Sequence, residues 1–187
     1  MRRLINLAAL ALLAMALHSE GVSQDKTALS VGADFLFPQG DFRDIYNAGF
    51  GGSAQFLYLV DRSMYAGLTA GFYSWSGKTD VVAHLKGVPL RGLLKFKLSK
   101  IFYIIAEAGI LYSWTGEITV RTFTGSSTIP GTSSVDFNYS GGLGIHFPLN
   151  RRGSLSLDTA ARYEGAARSG VASNNIALRV GILFGID

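Results

Sequence analysis

Apolar and polar residues alternate with period two over eight separate stretches of this chain. The clearest is the last, where Ile176, Leu178, Val180, Ile182, Phe184 and Ile186 share one face of an extended segment. Ala177, Arg179, Gly181, Leu183 and Gly185 share the other. The same alternation predicts strands over residues 27–37, 49–60, 64–75, 86–98, 101–114, 136–149 and 154–163. Segments of about ten residues, tilted at about 45°, have the length that crosses a bilayer. A last strand with an open edge needs an earlier strand to cover it. Pairing it with the first closes an all-β fold, an eight-stranded antiparallel up-and-down transmembrane barrel.

The connections alternate in length. Residues 38–48, 76–85, 115–135 and 164–173 are expected to be long loops, and 61–63, 99–100 and 150–153 tight turns. Four loops then lie at one end of the barrel, and the turns and both termini at the other, the asymmetry of an outer-membrane barrel. Within the longest loop, 117–123 is expected to extend a hairpin. The outward aromatics should form two tiers. Phe35, Phe37, Phe50, Phe72, Tyr112, Phe137, Tyr139 and Tyr163 fall toward the loops, and Tyr58, Phe96, Phe102, Phe147 and Phe184 toward the turns. Ala54, Leu68, Ala70, Ala106, Ala108 and Leu143 lie between them. Trp75 and Trp114, near loop bases, read as further interfacial anchors. A soluble lipocalin-like barrel would put the aromatic set inside; parity does not choose between the two, but the aromatic tiers and span-length strands favour the membrane.

Composition adds a location. The 187 residues are 48% hydrophobic with mean hydropathy +0.27. Beyond the N-terminus, however, no run approaches the roughly 20 apolar residues of a spanning helix. There are 23 Gly, 12 Phe and 8 Tyr but no Cys, which excludes disulfides and thiolate metal sites. Arg2 and Arg3, an apolar run over 4–17 and the small residues of Gly21-Val22-Ser23 predict a signal peptide, 1–23, cleaved after Ser23, leaving 24–187 as the barrel domain. The net charge of +4 falls to +3 once Arg2, Arg3 and Glu20 are removed, too slight a bias to argue for nucleic acid.

The inward faces carry Gly, Ser, Thr, Asn and charge. Asp34, Arg91, Lys95, Lys97, Glu107, His146, Asp158, Arg162 and Arg179 form the expected lumenal charge network, five cations and three carboxylates with one His. Parity sets Glu107 opposite or diagonal to Arg91 and Lys95, His146 opposite Ser156 or Asp158, and Arg179 toward Asp34 across the closing seam. Such a cluster reads either as a charge-paired plug or as an ion path, because eight strands leave an interior that side chains fill. The alternative is a narrow pore for ions or small apolar molecules, with Leu36, Leu57, Leu59 and Leu93 lining a pocket. His146, Asp158 and a nearby Ser match a hydrolase triad in composition only, and a lipid substrate would not reach them. No enzyme, cofactor or metal site is expected. Gly49-Phe-Gly-Gly-Ser-Ala54 fits a dinucleotide-binding spacing but leads into a strand, and Asn138-Tyr-Ser140 is a glycosylation triplet inside a strand.

The phrase from Gly32-Ala-Asp-Phe-Leu-Phe-Pro38 through Gly40, Phe42, Tyr46, Gly49 and Gly51, with the ending Val180-Gly-Ile-Leu-Phe-Gly-Ile186, resembles the outer-membrane β-barrel domain proteins common in Bacteroidota, PorT-like in type. The layout is similar to the eight-stranded OmpA/OmpX barrels. The resemblance implies outer-membrane lipid as the surroundings, the barrel-assembly machinery as a partner during biogenesis, and an extracellular ligand at the long loops. Members often end on an aromatic read by that machinery; Phe184 is the candidate here.

Overall fold

The computed structural model describes residues 26–79, 82–122, 125–151, 153–168 and 171–186; the predicted signal peptide lies outside them. Ten strands and one short helix follow in order: β1 Thr27–Gln39, α1 Asp41–Ile45, β2 Gly49–Asp61, β3 Met64–Trp75, β4 Leu85–Lys97, β5 Phe102–Thr115, β6 Ile118–Thr122, β7 Gly125–Ile129, β8 Ser133–Pro148, β9 Leu155–Arg168 and β10 Val171–Ile186. Eight of them close an antiparallel barrel, each paired with its neighbour along the chain and β10 with β1. β6 and β7 form a separate two-stranded hairpin between β5 and β8.

The registers fix the tilt. From Leu29 on β1 the partners run Phe56, Leu68, Gly92, Ala108, Tyr139, Gly165 and Asn174, and Asn174 meets Gln39. One circuit therefore returns ten residues along β1. With a rise of about 3.3 Å per residue and strands about 4.8 Å apart, that stagger tilts the strands by roughly 40°.

Parity assigns two faces to every barrel strand, as the sequence predicts. Phe50, Leu68, Phe137 and Leu143 stand 56–68% exposed on the outside. Between the two aromatic tiers the outward positions carry no charged side chain. An apolar belt around a whole barrel far exceeds what a soluble monomer shows to water. Of the twelve outer aromatics singled out for the girdle, Phe37, Phe50, Tyr58, Phe72, Phe96, Phe102, Tyr112, Phe137, Tyr139, Tyr163 and Phe184 are exposed, and Phe147 is half-buried.

Three differences from the sequence reading matter. The expected loop over 164–173 is mostly strand: β9 continues to Arg168 and β10 begins at Val171, so three connections at that end are long rather than four. Trp75 is not an interfacial anchor but 2% exposed inside the barrel, since it continues the inward parity of Tyr73. Leu36, Leu57 and Leu93 are packed at 0–3% exposure rather than lining one shared path, with Leu59 half-buried, and Leu57 borders a small cavity at the turn end. The expected extension of the β5–β8 hairpin is present as β6 and β7, joined to the barrel through the Thr115 amide, which donates to the Thr132 carbonyl at 2.9 Å.

Candidate functional site

The inward residues stack in three layers. At the turn end, Ala28, Leu57, Leu93, Tyr103, Ile105, Ala160 and Leu183 form one apolar cluster, with Tyr65 packed against it. At the loop end, Leu36, Phe42, Tyr73, Trp75 and Ala177 form a second, joined by Tyr46 and Leu85. Charge occupies the middle.

Glu107 on β5 is the hub of the upper half. Its Oε2 accepts from Arg91 Nη1 at 2.8 Å, Arg162 Nη1 at 3.0 Å and Ser140 Oγ at 2.6 Å. Its Oε1 accepts from Thr69 Oγ1 at 2.7 Å and Gln55 Nε2 at 3.4 Å. Arg162 continues to Asp34, donating from Nη2 at 2.6 Å. Asp158 on β9 is the hub of the lower half: Lys95 Nζ donates to both its oxygens at 3.1 and 3.2 Å, Arg179 Nη1 at 2.9 Å and the Tyr103 hydroxyl at 2.7 Å. Charge-assisted bonds of this kind are the strong ones. Among the described residues, no group of three or more His, Asp or Glu is placed to hold a metal ion.

Two pairings differ from the sequence reading. Asp34 and Arg179 do face each other in the register. Yet Arg179 bridges to Asp158 at 2.9 Å, and Asp34 to Arg162. Ser53 links the separated pair, donating to Asp34 and accepting from Arg179 Nε at 3.0 Å. Lys95 likewise goes to Asp158 rather than to Glu107. A residue opposite in the ladder is not the nearest charge, because long side chains pointing inward reach across a narrow lumen.

Glu164 is the lumenal residue that the sequence reading placed in a loop. Arg91 and Arg162 both bridge to it at 3.1 Å. Its inclusion alters the balance: Arg91, Lys95, Arg162 and Arg179 now face Asp34, Glu107, Asp158 and Glu164, four charges of each sign, all buried. The available signal was the even parity of Ser156, Asp158, Ala160 and Arg162, which Glu164 continues. Lys97 and His146 lie apart, half-buried at the turn end. His146 faces Asp158 in the register.

Glycine seats two of the lumenal tyrosines, Tyr103 and Tyr73. A Cβ at Gly144 would collide with the Tyr103 ring, and one at Gly51 with Tyr73 and the backbone of Phe72. At the loop mouth, α1 folds back so that Phe42 packs on Tyr46 and Trp75, with ring centroids 4.8 and 5.8 Å apart. Gly40, at φ 57°, makes the turn into α1. The first two loops are pinned together: the Asn47 amide donates to the Ser76 carbonyl at 2.9 Å and that of Lys78 to Ile45 at 3.0 Å.

No protein-family model matches the sequence, and no curated protein matches it. Solved structures do. The N-terminal β-barrel domain of Pseudomonas aeruginosa OprF is similar at TM-score 0.56 and 15% identity, over 86% of this chain and 100% of that one. Ail, the attachment invasion locus protein of Yersinia pestis, reaches TM-score 0.56 at 16% identity, over 87% of this chain and 100% of its own. Neisserial surface protein A gives 0.52 at 12%, over 89% and 100%. The shared feature is the fold, a closed antiparallel outer-membrane barrel, eight-stranded in this chain.

Proposed function

We propose that this chain is a small outer-membrane barrel with a closed lumen, acting as a structural or interaction protein through its loop end rather than as a pore or an enzyme. The observation that carries the reading is the layered interior, in which a balanced set of four buried cations and four buried carboxylates is shut between two apolar clusters. A continuous water path would have to pass Leu57 and Leu183 at one end and Leu36, Tyr73 and Trp75 at the other. The apolar belt supports lipid around the wall, and the loop end is then the extracellular one. The barrel-assembly machinery is the partner this fold needs for insertion, and export by cleavage after Ser23 would be checked by the mass of the mature protein. The Gly32–Gly51 phrase supports a Bacteroidota-type relationship.

The β6–β7 hairpin and the pinned first loops offer an extracellular ligand its contact surface. Ail has also been solved with the heparin analogue sucrose octasulfate. The described loop ends of this chain mix Arg43, Lys78 and Lys86 with Asp41, Asp44, Glu117 and Asp136. That mixture does not favour a polysulfate ligand here. The test of the closed lumen is conductance in planar bilayers. The purified barrel should show no steady channel at neutral pH, and a large, steady conductance would overturn the reading, as would its alteration by Glu107→Ala.

A further inference from the structure

Ladder parity assigns the residues of the eight barrel strands to the lumen or to the outer wall, and the outer set carries a single charge. From Thr27 on β1 to Ile186 on β10 the outward positions are apolar, small or uncharged polar, except for Lys86 near the start of β4. A cation on a lipid-facing wall sits at the interface, its stem along apolar surface and its ammonium at headgroup level. Lys86 has that place: it is exposed at the loop end, and Val88, Leu90, Gly92, Leu94 and Phe96 follow it along the outward face of β4.

Its neighbours form a shelf. In the ladder Lys86 lies between Ser74 on β3 and Trp114 on β5, and Tyr112 lies opposite Val88, one outward position below. Trp114 is half-buried, with its ring centroid 5.5 Å from that of Tyr112 and 6.1 Å from that of Phe72 on β3. β4 separates β3 from β5, so two ladder spacings alone would set these side chains roughly 9–10 Å apart. The Phe72 and Trp114 rings therefore lean together across the strand that carries Lys86. Tyr112 and Phe72 are each 45% exposed on the outside. An ammonium, a serine hydroxyl, an indole N–H and a phenol are thus carried by three adjacent strands at the loop-end rim, above rings that face the wall's surroundings.

We infer that this rim is a binding site for the headgroup phosphate of an anionic lipid, with Lys86 as its charge partner and the Trp114, Tyr112 and Phe72 rings as the shelf beneath it. Lysine binds phosphate as a point charge, and Ser74 and Trp114 add donors in the same ladder row. A soluble anion would meet one exposed ammonium screened by salt. A lipid gains the apolar shelf as well, which favours it as the occupant. The site rests on the reading that lipid surrounds the wall.

The experiment measures which lipid sits beside Trp114. The purified protein is folded into phosphatidylcholine vesicles containing a fixed fraction of lipid brominated on its acyl chains, phosphatidylglycerol in one arm and phosphatidylcholine in the other, and the quenching of tryptophan is compared. Trp75, enclosed in the lumen, gives a background common to both arms. Phosphatidylglycerol should be enriched about fivefold at Trp114, the size of one interfacial lysine's attraction. Lys86→Gln should bring the two arms together, Lys86→Arg should keep them apart, and Trp114→Phe should remove most of the quenching in both. Equal quenching in both arms by the parent protein, or an undiminished preference in Lys86→Gln, overturns the site and leaves lipid around the wall intact. No quenching in either arm removes the membrane reading and the site with it. Loss of the preference on adding millimolar inorganic phosphate at matched ionic strength would give Lys86 to a soluble anion and overturn the lipid assignment.

Discussion

Replacing Glu107 with Gln changes almost nothing in shape and removes one of the four lumenal negative charges. Oε2 now receives two guanidinium groups and a hydroxyl, and Oε1 a hydroxyl and an amide. Whichever way the new amide lies, one of its positions presents hydrogens to groups that also donate. Arg91 keeps Glu164, and Arg162 keeps Asp34 and Glu164, so neither cation is wholly abandoned. Four buried cations nevertheless face three carboxylates. Removing one partner from a buried ion pair costs about 3–5 kcal/mol, and the surviving partners place this case near the lower end. About 3 kcal/mol corresponds to roughly a hundredfold shift in the folding equilibrium. An exposed pair would contribute at most about 1 kcal/mol, so the measurement separates a buried hub from a solvated one. The assay is urea unfolding in lipid vesicles, followed by the fluorescence of Trp75 and Trp114. Adding Arg91→Gln to Glu107→Gln restores the charge balance and should recover part of the loss. A single variant within about 0.5 kcal/mol of the parent, or a double variant whose losses simply add, would refute the reasoning.

Two further perturbations probe the wall and the mouth. Leu143 is 62% exposed between the aromatic tiers, and Leu143→Arg should cost about 2–4 kcal/mol of folding into vesicles if that surface meets lipid; unchanged folding would place it in water. Phe42→Ala removes a ring that is 4% exposed and covers Trp75 from the loop side, so tryptophan emission should shift to the red, amide exchange over 41–47 should quicken, and folding should lose about 3 kcal/mol. Unaltered emission would mean that α1 does not cap the mouth.

The faces of the strands were legible because period two leaves no freedom: once Asp34, Arg91 and Glu107 are set inward, their neighbours two residues away follow. Strand ends were not. After Tyr163 the chain reads Glu164-Gly165-Ala166-Ala167, where small residues on both faces erase the contrast that marks a strand. Glu164 was lost with it, and the interior looked richer in cations than it is. Trp75 was misread for the opposite reason, its residue type being allowed to override its parity. Pairing across the lumen was beyond the pattern altogether. Register gives the neighbour in the ladder, but whether Arg179 meets Asp34 or Asp158 depends on stagger and side-chain reach, which only the closed barrel fixes.

The two hub carboxylates between them touch every strand of the wall. Glu107, on β5, accepts from β2, β3, β4, β8 and β9 through Gln55, Thr69, Arg91, Ser140 and Arg162. Asp158, on β9, accepts from β1, β4, β5 and β10 through Ser30, Lys95, Tyr103 and Arg179. The ladder ties each strand to two neighbours; these groups tie the wall across its diameter. A one-residue slip of β5 would turn Glu107 toward lipid, and a two-residue slip would draw it away from five donors at once. Charge inside this barrel therefore specifies register and closure. On the proposed closed lumen, the same network opposes conduction, since widening a path would separate buried opposite charges. On the function proposed above, recognition falls to the surfaces that such a lumen holds still: the capped loop mouth and the β6–β7 hairpin.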